Sequence, residues 1–347
     1  MSLNSSNIYQ DAGTLVSLVV ALGPVLLFLL SLVFLDTFRL VRFRRVAWTI
    51  LAGIGTGLAS YVVNSSLLSV LGWPVITFAV ILAPIVEESL KGLYMGWLLK
   101  TRRAGFLIDA AILGFATGSG FAVAENIFYL RNLPDAPLFV WIIRGFGTAL
   151  MHGGATAIFS VAARALLENR PTLSWRIWLP GLMAAIFVHS LFNRMLSKPI
   201  LATVVILVVL PLLLGWIYKV GEGRMRRWLG HGFDRDTELL ALIKEGQVRE
   251  TPLGRYLVSL RDSFRPDNVG DMLCLLRLQA ELSIRAKGIL LLREHGLKPK
   301  DDPELKAKLE EVRHLEGNIG KTGLLALRPV CRWKGADRWQ RHLLDEL

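Results

Sequence analysis

The sequence predicts an all-α fold: a polytopic membrane helix bundle of about seven spans over residues 1–221, then a cytoplasmic helical domain over 222–347. Three observations carry this. The chain is 53% hydrophobic and 20% charged, with a mean hydropathy of +0.46, against about 25% charged residues in soluble domains. The charges are unevenly spread: residues 1–221 hold 24 and the 126 residues after them hold 44. Finally, the first part divides into apolar stretches of about the 20 residues that a bilayer crossing needs.

Those stretches are 14–35, 46–70, 73–99, 106–130, 138–166, 177–196 and 200–219. The opening MSLNSSNIYQDAG has no Lys or Arg before the first of them, which argues against a cleaved signal peptide with its basic leader. Basic residues gather in alternate connections. Arg39, Arg42, Arg44 and Arg45 follow the first span, and Lys100, Arg102 and Arg103 the third. Arg164, Arg170 and Arg176 surround the connection between the fifth and sixth, and Arg224, Arg226 and Arg227 follow the seventh. The positive-inside rule then places the N-terminus outside and the tail in the cytoplasm of a cell with this protein in its cytoplasmic membrane. GIGTG (53–57) and GFATGSG (114–120) let helices approach closely, a packing role.

In the tail, apolar residues recur at helical spacing over 236–246, 252–264 and 271–296, and 304–317 reads as a charged amphipathic helix. No motif there carries chemistry, so the expected role is regulation or contact with a cytoplasmic partner. The only cysteines, Cys274 and Cys331, fit free thiols rather than a disulfide framework. The net charge of +12 divides as +8 and +4 between the two parts. Mixed signs in the tail exclude nucleic acid as a first partner and favour a lipid bilayer. Trp333 and Trp339 lie near basic residues and suit docking on a membrane or on the core.

Ionisable groups inside a span cost a few kcal/mol each and face a bundle interior or a watery cavity. Here they are few and grouped. The third span has Glu87, Glu88 and Lys91 in PIVEESLKG, and the fourth has Glu125 and Asn126 in FAVAENIFYL. The fifth has Arg144 and His152 in RGFGTALMHGGAT, and the sixth His189 and Asn193 in FVHSLFN. Lys91 is one helical turn from both glutamates and neutralises one, leaving the other for chemistry. Phe121 and Tyr129 share a face with Glu125 and read as packing, and Asp109 reads as a partner for Arg102 or Arg103. At 1.5 Å per residue, Glu87 and His152 lie roughly 20 Å from the outer span ends, whereas Glu125 and His189 lie only about 8–12 Å from them.

Such a set suits hydrolysis. A carboxylate can take a proton from water, while a histidine and an amide can donate to an oxyanion. Alternatively, two histidines with one or two glutamates make a zinc-type ligand set assembled across helices.

At these residues the sequence resembles the PrsW-type intramembrane proteases, relatives of the CAAX prenyl endopeptidases and the bacteriocin-processing membrane proteases. Glu87-Glu88-Ser89-Leu90-Lys91 is similar to their E-E-x-x-K motif, and Phe121 to Glu125-Asn126 to F-x-x-x-E-N. His152 falls where their membrane histidine is expected, and His189 to Asn193 resembles H-x-x-x-N. The resemblance covers about residues 75–196 and says nothing of the tail. It implies cleavage of a membrane-anchored protein substrate within or near the bilayer, as in the first cut of an anti-sigma factor by the namesake branch. It also implies site roles: Glu88 or Glu87 as base, His189 and Asn193 at the oxyanion, and Glu125 and His152 orienting water. Lys91, Asn126 and Arg144 support them. If a metal such as Zn2+ is used, His152, His189 and Glu125 are its ligands. The competing expectation is a non-proteolytic membrane scaffold, or a proton- or ion-coupled transporter using the same buried groups.

Overall fold

The computed structural model describes residues 5–101, 103–168, 175–297, 302–327, 329–330, 340 and 343–344. Cys331, Trp333, Trp339, Arg102 and Arg170 lie outside them. The described residues contain helices and turns and no strand. The chain divides into two compact units, Met1–Gly221 and Glu222–Leu347.

In the first unit, α1 (Ser5–Phe34), α2 (Phe43–Leu71), α3 (Val75–Lys100) and α4 (Leu107–Asn132) are single helices. A fifth crossing, Leu138–Leu167, is α5 (Leu138–Ile143), a π-helical turn (Arg144–Thr148) and the start of α6 (Ala149–Glu168). Then follow α7 (Trp175–Arg194) and α8 (Pro199–Lys244). Six of these segments are long and apolar enough to cross a membrane. The third expected span, α3, is 26 residues long but brings Glu87, Glu88 and Lys91 together in its middle, so its composition sets it apart from the six.

The core is α4. Its residues Leu107–Ala122 are all buried, enclosed by α1, α2, α3 and α6. Small residues make that possible: a methyl group added at Gly118 would overlap the His152 carbonyl on α6, and one at Gly120 the Ile50 carbonyl on α2. The close approach sets α6 against α4 at the level of His152. Asp109 was expected to pair with Arg102 or Arg103. Arg102 lies outside the described residues; the Asp109 carboxylate accepts the N–H groups of Gly105, Phe106 and Ala110 at 2.7–2.8 Å and caps the start of α4, where backbone donors lack helical partners. On the outward faces, apolar side chains such as Leu27, Leu58 and Leu212 are exposed, a surface suited to lipid.

Among its described residues the second unit consists of helices joined by turns. Where a separate helix was expected over 236–246, α8 continues unbroken to Lys244. After α9 (Pro252–Ser259), the long α10 (Pro266–Glu294) buries Met272, Leu275, Leu276, Leu282 and Leu290. It packs on α11 (Pro303–Leu327), in which a kink at Gly320, three residues past the expected end at Gly317, separates two helical stretches. A break at Gly320, with φ of +68°, is tolerated because glycine has no Cβ to clash. Asp236 accepts from Ser283 and Lys287, each at 2.5 Å, so the buried ammonium of Lys287 is paired.

Candidate active site

The helices converge their ionisable groups on one place in the first unit. On α3 the i, i+3 spacing works as expected: Lys91 Nζ donates to Glu88 Oε1 at 2.5 Å, with both side chains essentially excluded from solvent. Glu88 Oε1 also accepts from His189 Nδ1 at 2.8 Å. Lys91 reaches His152 Nδ1 at 3.2 Å and stands over the Phe121 ring, 4.4 Å from its centre. One ammonium therefore ties together a glutamate on its own helix and a histidine on α6.

Glu125 and His152 meet across α4 and α6, with His152 Nε2 at 3.1 Å from Glu125 Oε2. Arg144 Nη2 is also 3.1 Å from that oxygen, an ionic contact whose N–H is not aimed at it. Arg144 Nε does donate well, to Asn126 Oδ1 at 2.8 Å, and the guanidinium lies 3.8 Å from the centre of the Tyr129 ring. Asn126 in turn donates to the Ala21 carbonyl of α1 at 2.7 Å. Arg144 opens the π-helical turn, and such one-turn expansions recur at functional sites because they re-aim side chains within a helix.

Charge pairing separates the three carboxylates. Lys91 serves Glu88 and Arg144 serves Glu125. Glu87 is left with His189 Nε2, 3.7 Å from its Oε2, and with Asn64 Nδ2, which donates to its Oε1 at 3.1 Å. The carboxylate in excess is thus Glu87.

The structure brings Glu87, Glu88, Lys91, Glu125, His152 and His189 into one connected cluster, with Asn126 and Arg144 supporting it. Asn193, expected as an oxyanion donor, stands on α7 four residues after His189. Its Nδ2 donates to the Ala79 carbonyl at 2.9 Å, tying α7 to α3, and it makes no hydrogen bond to the glutamates or histidines. Phe121 and Tyr129, read as packing, form aromatic floors beneath Lys91 and Arg144. Phe121 also lies 4.7 Å from the His152 ring, and the two histidine rings stand edge to face at 4.7 Å.

Asn64 was missed by the sequence reading. It sits in YVVNSSLL on α2, with no ionisable neighbour to single it out.

The hydrogen bonds also fix the ring protons. An ammonium can only donate, so His152 Nδ1 accepts from Lys91 and its hydrogen sits on Nε2, directed at Glu125. Glu88 is an acceptor, so His189 carries its hydrogen on Nδ1 and presents the Nε2 lone pair towards Glu87.

Glu87, His152 and His189 offer ligand atoms that all lie within 4.8 Å of one another. One oxygen and two imidazole nitrogens are the donor set of a catalytic zinc site, where ligands stand about 2.0–2.2 Å from the ion. The Glu88 carboxylate on His189 Nδ1 is the outer hydrogen bond such a histidine normally has. The residues therefore fit a divalent metal, provided that a ring nitrogen of His152 gives up its hydrogen bond to Lys91 or Glu125. The set differs from the expected one in having Glu87 where Glu125 was read; Glu125 stands behind His152.

A family model described as PrsW family intramembrane metalloprotease matches residues 41–216, a range that holds every residue of the cluster. No curated protein and no solved structure matches the chain.

Proposed function

Taking as premise that the chain belongs to the PrsW family of intramembrane metalloproteases, we propose that it hydrolyses a peptide bond in a membrane-anchored protein, with Glu87, Glu125, His152 and His189 as its catalytic groups. The observation that carries this is the close grouping of Glu87, His152 and His189 within 4.8 Å, beside a carboxylate that no ligand role occupies. An anti-sigma factor is the substrate class suggested by the family's namesake branch. We place the protein in the cell membrane with its N-terminus outside, residues 1–221 as the protease domain and 222–347 as a cytoplasmic regulatory domain.

Glu87 Oε2, His189 Nε2 and a ring nitrogen of His152 would hold the metal. Bound there, it would supply a Lewis acid for the scissile carbonyl and a more acidic water. Glu88 holds His189 in the tautomer that frees Nε2. Glu125, whose side chain is 26% exposed and the most open of the three carboxylates, takes the proton of the attacking water and returns it to the leaving amine. Arg144 keeps that carboxylate in place through the cluster with Asn126 and Tyr129. Buried Lys91 and Phe121 close the opposite side against water.

A second reading has its own observation. With Lys91 donating to His152 Nδ1, His152 presents an N–H rather than a lone pair at Nε2. In that protonation pattern Glu87, the carboxylate without a cation, takes the water proton directly.

The test expresses wild type and E87Q in the same cells and maps new N-termini among membrane proteins. Fragments that appear with wild type alone support an endopeptidase, and identical fragment patterns overturn it. Elemental analysis of the purified wild type separates the two readings: about one equivalent of zinc supports the metal site, and its absence from an active preparation favours Glu87 as base.

A further inference from the structure

Asn64 is the one side chain from α2 that enters the cluster. Its Nδ2 donates to Glu87 Oε1 at 3.1 Å, while its Oδ1 is buried and has no hydrogen-bond donor among the described residues. A buried acceptor left without a donor is unfavourable, so an apolar residue of similar shape would suit this position better if packing were its only task. The donor half of the amide is what the site uses.

The charge pattern shows what that use is. Glu88 has Lys91 and Glu125 has Arg144, whereas Glu87 has a neutral amide. A cation there would occupy the carboxylate and compete with a metal or a proton for it. An amide N–H instead holds Oε1 by direction and leaves Oε2 facing His189 Nε2, 3.7 Å away. We propose that Asn64 is a positioning residue for Glu87: it engages Oε1 so that Oε2 is presented to the metal or water, without neutralising the carboxylate. This rests on the protease reading above, and it holds in both forms of it, because each requires a free and fixed Oε2.

The experiment compares purified full-length wild type with N64L and N64Q. N64L keeps the side-chain shape and removes the donor, and N64Q restores a donor on a longer arm. Two quantities are read: Zn2+ affinity by titration with the metal alone, and kcat and KM on the membrane-protein fragment found in the N-terminus comparison. N64L is expected to weaken Zn2+ binding or lower kcat about 10–100-fold, the usual effect of losing such an outer hydrogen bond. KM should stay within about twofold, N64Q should recover part of the loss, and the melting temperature of N64L should equal or exceed that of wild type. A merely structural role would lower the melting temperature and leave the kcat-to-KM split unmoved, and that result overturns the proposal. Wild type that cleaves or binds Zn2+, with N64L equal to it in both, also overturns the proposal but leaves the protease reading standing. Wild type that does neither overturns the reading itself, and the role of Asn64 with it.

Discussion

The Nδ1–H of His189 donates to Glu88 Oε1 across 2.8 Å, although the two residues are 101 positions apart in the chain. That bond links α7 to α3 and decides which nitrogen of His189 carries its lone pair. It also distinguishes two adjacent glutamates that look equivalent in the sequence: Glu88 pairs with Lys91 and His189, and Glu87 has no cation.

The two should respond differently to substitution. E87Q is expected to lower cleavage by about 10²–10⁴-fold where Glu87 is the proton acceptor, and to remove a ligand along with the activity where it holds the metal, while changing the melting temperature little. E88A removes the partner of a fully buried ammonium, Lys91, and should destabilise the protein by about 3–5 kcal/mol. Paired activity and denaturation measurements in detergent distinguish the two outcomes.

Arg144 is held in three ways, by Glu125, Asn126 and the Tyr129 ring. A lysine cannot reproduce a planar fork stacked on an aromatic face. R144K is therefore expected to lose most of the cleavage activity, despite keeping the charge. Retention of more than half of wild-type kcat would show that charge alone suffices.

Gly118 lets α4 and α6 touch at the level of His152. G118A forces a methyl group into the His152 carbonyl and should cost about 1–3 kcal/mol, in the range of overpacked cores. Because the displaced backbone carries His152, cleavage should fall alongside the melting temperature. The same substitution at Gly55, which has open space around it, serves as the control.

Asp36, in the connection between α1 and α2, is buried. Burial pushes its pKa up from 3.8 to about 6, against hydrogen bonds from the Leu40 and Val41 amides that pull it down. The folded state thus binds this proton more tightly than the unfolded state does. Stability should rise as the pH falls from about 6 towards 4, by an amount on the order of 2–3 kcal/mol. Melting temperatures across that range should follow this slope in wild type and show a flatter one in D36N.

Much of the site was legible because the bilayer makes its polar residues conspicuous. A glutamate or histidine within an apolar span has few reasons to be there, and helical spacing alone pairs Lys91 with one of its two glutamates. Asn64 escaped notice for the opposite reason: a neutral amide among Ser65, Ser66 and Tyr61 carries no charge to stand out. The position of Asn193 in H-x-x-x-N says nothing of its bond to the Ala79 carbonyl, and the sequence around Asp109 shows nearby arginines more readily than a helix start that needs a cap. The depth mismatch between Glu125 and His152 came from counting along span ends. Those ends are set by turns and caps, whereas the two side chains meet at 3.1 Å.

By itself the sequence determined the all-α class, the concentration of apolar residues in the first 221 positions and the set of polar residues on four helices, because composition and helical periodicity are local properties. Only the tertiary structure decided which carboxylate each cation takes, which nitrogen of each histidine carries its hydrogen, and that an amide from a fifth helix joins the set. These depend on contacts between residues far apart in the chain, where a few tenths of an ångström and the direction of a single N–H decide whether a group reacts or merely holds its neighbour.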